Sequence, residues 1–405
     1  MIIKDLKAYW IIDSRANPTI KVLVKTEKTI GVGYAPSGAS KGEKEAVEIR
    51  DKEKSFHGMG VEKALHNVEL LKKELINKRF NDEEEFDELL IKIDGTKNKS
   101  RVGTNVTTAC SIAVLDAFAK ENNMEIFEYL SYKLKIKPSI PFCMFNIING
   151  GKHAGNNLSI QEFLIVPTVS DVRYNLRIAC EVYVELREKL EKKFGKHSIN
   201  VGDEGGFTPD FRSCIDALDF ISTIIEELGY NKEVKLSIDA ASSSFYDGKK
   251  DKYFIDNKYI TATDLIDYYK LMIKEYKLLS IEDPFVEKDI NAFKELKGST
   301  HVLGDDLTVS NIYFAKKYKE IINGLILKPN QVGTIKETLE TWKHAKKYLP
   351  FIVTSHRSGE TESSFIADFA VGIASPYAKF GAPARGERTA KYNRLMEIND
   401  MLTAF

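Results

Sequence analysis

The fold of this chain is decided by the stretch Gly324-Leu325-Ile326-Leu327-Lys328-Pro329-Asn330-Gln331-Val332-Gly333. Its three consecutive apolar side chains predict a short buried strand, with Lys328 at the carboxyl end. Thr334 and Glu337 follow as a capping box, which predicts that a helix starts there. Taken alone, a lysine in this position is more often a solvated strand end than a group directed into a site.

Other apolar runs of the chain also end in polar residues, and this recurrence favours the interpretation of Lys328 as a group directed into a site. The residues that follow these runs are Asp239, then Glu282-Asp283, then Asp305-Asp306, and finally Ser355-His356-Arg357-Ser358. From Glu282 to Asp305, to Lys328 and to His356 the intervals are 23, 23 and 28 residues, and a helix-period segment fills each one. This βα repeat predicts a parallel sheet. Polar groups at the carboxyl ends of its strands are typical of the active site of an α/β barrel.

Size and composition limit the possible classes of protein. With 405 residues and 43% apolar side chains, the chain can bury a large core and is expected to form two domains. The 59 basic and 59 acidic residues cancel, so no global field favours nucleic acid or an anionic membrane. No signal peptide or membrane-length apolar run is present in the sequence. The four separated cysteines are expected to be reduced core thiols of a cytoplasmic protein: Cys110, Cys143, Cys180 and Cys214.

The first part of the chain predicts an α+β domain over residues 1–134. Alternating residues predict three antiparallel strands, at Ile2–Ile12, Thr19–Thr26 and Thr29–Ala35. Apolar residues at helical spacing then predict four helices, at Val61–Arg79, Glu83–Ile93, Asn105–Lys120 and Glu125–Lys133. Residues 135–141 join this domain to a second one, which we expect to span residues 135–405.

Two loops of the second domain carry candidate site residues. A glycine- and asparagine-rich loop with His153 follows the strand Phe142–Ile148, and it fits a lid over a site or an ordinary hairpin connection equally well. Gln161 and Glu162 then lead into the strand Phe163–Val166. Further on, Asp203 and Glu204 lie beside two glycines, where they fit a metal site, acid–base chemistry or a simple turn.

The strand-end carboxylates predict a metal site. Asp239, Glu282 and Asp305 on neighbouring strands would converge, and three unpaired carboxylates would repel one another. A hard cation resolves that repulsion, and oxygen ligands without a Cys or His cluster indicate magnesium. The alternative is three solvated acids. Lys328, one strand further round, would lie beside the metal, and nearby cations and burial would lower its pKa so that it acts as a base.

An anion clamp is predicted next to this site. Arg357 and Ser358, followed by a predicted helix start, would grip a phosphate with a guanidinium, a hydroxyl and a helix N-terminus. Lys379 adds another cation. Metal, base, acid and anion clamp together indicate proton abstraction next to a carboxylate on a phosphorylated substrate.

Eleven stretches of the sequence, taken in order, resemble the enolase family of phosphopyruvate hydratases. They cover the chain from about Asp13 to Asn393: DSRANPT, SGASKGEKEAVEIRD, INGGKHAGNN, QEFLIVP, VGDEGGF, SIDAASSSFY, SIEDPF, GDDLTVSN, LKPNQVGT, SHRSGETE and KFGAPARGERTAKYN. The resemblance implies a fold with an N-terminal α+β domain and a C-terminal TIM-like barrel of the order ββαα(βα)6. It also implies reversible dehydration of 2-phospho-D-glycerate to phosphoenolpyruvate, in glycolysis and gluconeogenesis.

The resemblance further implies a role for each candidate residue. Asp239, Glu282 and Asp305 would bind a first Mg²⁺, and Ser40 would help to hold a second Mg²⁺ that arrives with the substrate. Lys328 would be the base that takes the C2 proton, as Lys or His bases do in enolase-superfamily sites. Glu204 would be the acid, with Glu162 beside it, His153 would lie on the lid and bind substrate, and His356 would lie near the reacting groups. Arg357 and Ser358 would hold the phosphate, Lys379 would hold the carboxylate, and Gln161 would also bind the substrate.

Some residues depart from the family pattern without removing a group assigned to chemistry. Lys41 replaces a usual threonine next to Ser40, and Lys152 replaces a usual serine in the lid. Ser244 replaces a frequent glutamate, and Ala16 replaces glycine in the DSR turn. Two alternatives stay open: a relative that acts on another phosphorylated hydroxy acid, and a binding or structural protein on the same scaffold. The resemblance also implies a homodimer or an octamer in the cytoplasm, with no nucleic-acid partner.

Overall fold

The computed structural model describes residues 1–39 and 42–404 and begins with an antiparallel sheet. Its strands are β1 (Asp5–Ile12), β2 (Pro18–Lys25) and β3 (Ile30–Tyr34), paired in that order. The predicted meander is therefore confirmed. The first strand begins three residues later than predicted, because Ile2 forms its bridge with Arg79 and not with a strand of this sheet.

Four helices follow this sheet in the chain, and all four were predicted. They are α1 (Glu62–Leu75), α2 (Glu83–Asp94), α3 (Thr104–Glu121) and α4 (Ile126–Leu134). Helix α3 is buried from Thr104 to Ala119, because it packs against β2 and β3 and also meets the second half of the chain. There Thr104 donates to the carbonyl of Asn330 at 2.7 Å, and the amide of Ile335 donates to Ser111 at 2.9 Å.

The contact between β3 and α3 leaves no room for a side chain at Gly33. A Cβ placed there would lie 2.0 Å from the carbonyl oxygen of Ala109. We expect Gly33→Ala to lower the free energy of unfolding by about 3 kcal/mol, because strand and helix must separate. Urea denaturation followed by circular dichroism measures this change. Gly248→Ala is the matched control, since its nearest neighbouring atom is 3.7 Å away, and equal stability of the two variants would contradict the packing argument.

The second half of the chain is a closed barrel. Its first strands are β4 (Phe142–Asn149), β5 (Glu162–Pro167) and β6 (Val234–Asp239), and a small sheet of β7 (Tyr246–Asp247), β8 (Lys252–Ile255) and β9 (Lys258–Ile260) follows them. The remaining barrel strands are β10 (Ser280–Glu282), β11 (His301–Gly304), β12 (Gly324–Leu327), β13 (Phe351–Ser355) and β14 (Tyr377–Gly381). Strand β5 runs antiparallel to both of its neighbours, and all other barrel pairs are parallel.

Helices surround the barrel in the order that was expected. They are α5 (Val172–Phe194), α6 (Cys214–Glu227), α7 (Ala262–Tyr276), α8 (Ile290–Lys297), α9 (Ile312–Tyr318), α10 (Ile335–Ala345), α11 (Phe365–Gly372) and α12 (Gly386–Thr403). The succession of two strands, two helices and six strand–helix units confirms the predicted ββαα(βα)6 barrel. None of the helices among the described residues has the length and apolar character that a membrane crossing requires.

Three details differ from the sequence-based expectations. The sheet β7–β9 was not predicted, since its strands have only two to four residues. Thr334 caps α10 by accepting from the amide of Glu337, but the Glu337 carboxylate contacts the Thr334 hydroxyl and Lys99 and does not complete a capping box. All four cysteines are free, yet Cys180 is exposed on α5 and is not a core thiol.

Candidate active site

The predicted site residues meet in one cavity at the carboxyl ends of the barrel strands. This cavity is lined by His153, Gln161, Glu162, Glu204, Asp239, Asp305, Lys328, His356, Arg357, Ser358 and Lys379, together with Gly38 and Ala39 of the small-residue loop. Glu282 adjoins it through its contact with Lys379. Ser40 and Lys41 lie outside the described residues. The loop with His153 connects two antiparallel strands, β4 and β5, and it also places this histidine in the cavity.

Lys379 is surrounded by carboxylates. Its Nζ lies 2.7 Å from Glu282, 3.0 Å from Asp239 and 3.4 Å from Glu162, and all four side chains are buried. Burial would lower the pKa of Lys379, but the charges of Asp239, Glu162 and Glu282 raise it well above its ordinary value. The ammonium of Lys379 therefore lies among three carboxylates and compensates part of their negative charge.

Lys328 is paired with Asp305. Its Nζ donates to Oδ2 of Asp305, and the side-chain amide nitrogen of Gln331 donates to Oδ1 of Asp305 at 2.9 Å. Burial and the nearby Lys379 lower the pKa of Lys328, but Asp305 outweighs them and the net shift is upward. The expected lowering is therefore wrong for this arrangement, because a carboxylate and not a cation is the closest partner of the lysine.

The carboxylates of the site fit a hard divalent cation. Oε1 of Glu282 is buried and accepts no hydrogen bond from any described residue. Burial and the charge of Asp239 raise the pKa of Glu282 well above its ordinary value despite Lys379. The three predicted ligands are brought together only in part, since Asp239 and Glu282 share Lys379 whereas Asp305 is bound to Lys328. All of these donors are oxygen atoms, which suits Mg²⁺.

A second cluster of carboxylates, formed by three aspartates, lies on the same side of the barrel. One oxygen from each of Asp283, Asp305 and Asp306 falls within 4.8 Å of the others. Asp283 accepts from the backbone amides of Asp305 and Asp306 at 3.0 and 2.7 Å, which orients the group. Burial and the charge of Asp305 raise the pKa of Asp306 to about 6. Asp283 and Asp306 were quoted in the sequence motifs, but only the structure shows them together with Asp305.

Glu204 and Glu162 are neighbouring buried acids with opposite pKa shifts. Burial raises the pKa of Glu162 well above its ordinary value, and the charge of Glu204 adds to the effect. Burial acts in the same direction on Glu204, but His356 and His153 overcome it and hold the pKa of Glu204 well below its ordinary value. Of the two acids, Glu162 therefore holds a proton more readily than Glu204. Asn146 donates to Glu204 at 3.1 Å and helps to fix it.

Arg357 and Ser358 are held by the N-terminal half of the chain. The guanidinium of Arg357 makes a forked contact with Glu45, at 2.8 and 3.2 Å, and the Ser358 hydroxyl accepts from the amide of Ala39 at 2.6 Å. The predicted helix start next to Ser358 is wrong, since α11 begins only at Phe365. The intervening chain instead forms a bridge between Gly359 and Ser37, which ties the two halves of the protein together.

Comparisons with known proteins agree with this geometry. The family model described as "Enolase, N-terminal domain" matches residues 3–130, and the one described as "Enolase, C-terminal TIM barrel domain" matches residues 137–405. The chain is 45% identical to an enolase of Saccharolobus islandicus, with 98% of this chain and 96% of that protein covered. It is 43% identical to an enolase of Methanocaldococcus jannaschii, with 99% and 95% covered. The chain belongs to the enolase family.

This membership confirms the predicted family, fold class and enzyme class. The chain has the glycolytic function of an enolase, a phosphopyruvate hydratase that acts as a carbon–oxygen lyase. Two departures from the usual enolase sequence can be placed in the structure. Lys152 is exposed and lines a neighbouring cavity with Asp283 and Asp306, so it adds a positive charge near the second cluster of carboxylates. Ala16 adopts a left-handed backbone conformation with φ of 59°, which is natural for the usual glycine.

Sequence reasoning gave no role to several side chains that organise this enolase site. Arg388 is fully buried and contacts the loop from His356 to Ser358. Glu45 neutralises Arg357, and Gln331 holds Asp305. Each of these three residues belongs to a stretch that resembles the family. Their contacts, however, join residues that are between 26 and 312 positions apart in the sequence. Membership in a family motif was the only signal available in the sequence.

Proposed function

We propose that this cavity binds 2-phospho-D-glycerate and converts it reversibly to phosphoenolpyruvate, with Lys328 and the pair Glu204 and Glu162 moving protons. One observation carries the proposal: Lys328, whose side chain is only 12% exposed, and a buried acid pair face one cavity that is rich in carboxylates. Lys328 takes the C2 proton, and the acid pair gives a proton to the C3 hydroxyl as it leaves.

The single proton of the acid pair must move during this reaction. Before the substrate binds, Glu162 is the favoured position for it, because His356 and His153 lower the pKa of Glu204 whereas burial raises the pKa of Glu162. Binding of a polyanionic substrate changes the electrostatic potential at Glu162 and Glu204, and therefore the difference between their pKa values. We propose that the proton then passes to Glu204, which faces the leaving hydroxyl.

We propose that two Mg²⁺ ions are the cofactor. Asp239, Glu282 and Asp305 would hold the first, and Ser40 would help to hold the second when the substrate binds. When bound, the ions would supply positive charge that stabilises the negative charge developing beside the substrate carboxylate and that lowers the pKa of Lys328. The buried unpaired oxygen of Glu282 and the ammonium of Lys379 among carboxylates support a cation site there.

The remaining polar groups would orient the substrate. Arg357 and Ser358 would hold the phosphate, and burial of both in a loop fixed by Glu45 and Ala39 supports this role. Lys379 would hold the substrate carboxylate. Gln161 and His153 line the same cavity, and both have a buried polar atom without a partner among the described residues, Oε1 and Nδ1 respectively.

A substrate panel tests this proposal. The purified protein with Mg²⁺ is given 2-phosphoglycerate, 3-phosphoglycerate or unphosphorylated glycerate, and each product is followed by ³¹P or ¹H NMR. We expect turnover of 2-phosphoglycerate alone, because the cavity presents cations for both a phosphate and a carboxylate. Preferred turnover of another hydroxy acid would overturn the assigned substrate.

We propose that the protein is a homo-oligomer in the cytoplasm, either a dimer or an octamer. Strand β1 and the segment near it expose Tyr9, Trp10, Ile12 and Phe56, each by 46% or more, and the rings of Trp10 and Phe56 are 5.7 Å apart. Such a group of apolar side chains is typical of a protein interface. The free cysteines support the cytoplasmic location, and the zero net charge favours no nucleic-acid partner. We also propose the domain division between residues 134 and 135.

Light scattering tests the oligomeric state. We expect Trp10→Glu to lower the mass of the particle to that of one chain, because a buried carboxylate would disrupt the interface. Tyr132→Glu is the control, since Tyr132 is 73% exposed on α4 away from this group. An unchanged oligomer in Trp10→Glu would contradict the assignment of this surface.

A further inference from the structure

Arg388 joins the two loops that carry the proposed acid and the proposed phosphate-binding residues. Its side chain is fully buried near the start of α12. One terminal nitrogen contacts Nδ1 of His356 at 2.6 Å and the carbonyl of Arg357 at 2.7 Å. The other donates to the carbonyls of Asp203 at 2.9 Å and Ser358 at 2.5 Å. A single planar guanidinium thus fixes the backbone on both sides of the cavity.

The contact with His356 determines where the imidazole proton lies. A guanidinium has five N–H donors and no acceptor, and it stays protonated in proteins. Nδ1 of His356 must therefore accept the hydrogen bond from Arg388, so it carries no proton. The proton of the neutral ring is then on Nε2. Nε2 is buried and lies 3.4 Å from Oε2 of Glu204, although it forms no hydrogen bond with any described residue in this arrangement.

We propose that Arg388 is a positioning residue that holds His356 as its neutral Nε2–H tautomer and directs that proton toward Glu204. The role rests on the proposed function, in which Glu204 is the acid. Arg388 also fixes the carbonyl of Asp203, the residue before Glu204, so it sets the distance between imidazole and carboxylate from both ends. The histidine then stabilises the ionised form of Glu204 before the substrate arrives.

The charges around His356 agree with a neutral ring. The ionisable groups that face it are Glu204, Arg388 and Glu360, and Lys391 lies 3.0 Å from Glu360 and balances it. Burial lowers the pKa of His356 to about 4, with Arg388 acting in the same direction and Glu204 opposing it. The Nε2 proton is consequently available as a hydrogen-bond donor at neutral pH without a second proton on the ring.

The tautomer can be measured in the wild-type protein without any activity. Two-bond ¹H–¹⁵N NMR spectra of histidine-labelled protein distinguish both tautomers and the imidazolium, and His356→Asn assigns the signal among the seven histidines. We expect a neutral ring protonated at Nε2 from pH 8 to about pH 6. A ring protonated at Nδ1, or a charged ring at pH 7, would overturn the proposal.

Arg388→Lys tests the positioning role, with Arg394→Lys as its control. Arg394 is on the same helix and pairs with Asp368 and Glu125, away from the cavity. A lysine cannot reproduce the fork, so we expect His356 to populate both tautomers and kcat for 2-phosphoglycerate to fall at least about tenfold. The control should keep both properties. An Arg388→Lys protein that folds with an unchanged tautomer, or with unchanged kcat, would overturn the proposal.

The two experiments separate this inference from the proposed function. Wild-type protein that shows the Nε2–H tautomer but does not turn over 2-phosphoglycerate would refute the function and leave the role of Arg388 in fixing the ring intact. Active protein with the other tautomer would refute the positioning role alone. If Arg388→Lys does not fold, the wild-type spectrum still decides where the proton lies.

Discussion

Replacing Lys328 by alanine is expected to lower kcat for 2-phosphoglycerate by about 10³-fold or more, because it removes the proposed base for the C2 proton. The change corresponds to a barrier increase of about 4 kcal/mol or more. Lys328 is on the carboxyl end of β12 and its ammonium contacts only the site, so the barrel itself should fold as before. Steady-state kinetics at saturating substrate, with circular dichroism of the variant, measures both properties.

Lys336→Ala provides the matched control. Lys336 follows eight residues later on α10 and pairs with Glu340 outside the cavity, so its removal should leave kcat within about twofold of the parent. If Lys328→Ala kept turnover within about tenfold of the parent, a barrier change of only about 1.4 kcal/mol, the assigned base would be wrong.

Replacing Glu204 by glutamine is expected to separate the two halves of the reaction. Dehydration should fall by about 10²–10⁴-fold, since an amide cannot give a proton to the leaving hydroxyl. Removal of the C2 proton should continue, because Lys328 is unchanged. In D₂O, the variant should therefore exchange the C2 hydrogen of 2-phosphoglycerate for deuterium much faster than it forms phosphoenolpyruvate, and ¹H NMR of the substrate follows this exchange.

The Lys328→Ala protein is the comparison for this experiment, since it should lose both exchange and dehydration. Loss of exchange in Glu204→Gln would show that the two residues do not divide the chemistry as proposed. Equal rates of exchange and dehydration in that variant would show that another group, with Glu162 the nearest candidate, is the acid.

The position of the site follows from local sequence patterns. In the parallel part of the barrel, short apolar runs form the strands, and the polar residue that follows a run lies at the cavity or beside it because parallel strands end on the same side. Asp239, Glu282 and Lys328 could be placed in this way without any contact being known. The antiparallel pair of strands that begins the barrel could be predicted only from the resemblance to the enolase family. The apolar pattern of these strands does not show in which direction they run.

The electrostatics of the site could not be predicted in the same way. The pKa of Lys328 depends on Asp305, which is 23 residues away and lies on the neighbouring strand end. The lowered pKa of Glu204 depends on two histidines from different loops, and the raised pKa of Glu162 depends on burial and on the charge of Glu204. Arg388 acts through His356 and through backbone carbonyls, and these contacts leave no signal in the sequence. Such shifts are sums over many distant groups, and only the folded structure brings those groups together.

The most direct test of the account is the formation of phosphoenolpyruvate from 2-phosphoglycerate, followed by ultraviolet absorbance, first with Mg²⁺ and then after addition of a chelator. We expect turnover of about 1 s⁻¹ or faster with Mg²⁺, loss of turnover with the chelator, and recovery when Mg²⁺ is restored. Folded protein that forms no phosphoenolpyruvate with Mg²⁺, or that continues to form it with the chelator present, would contradict a metal-dependent dehydration at this site.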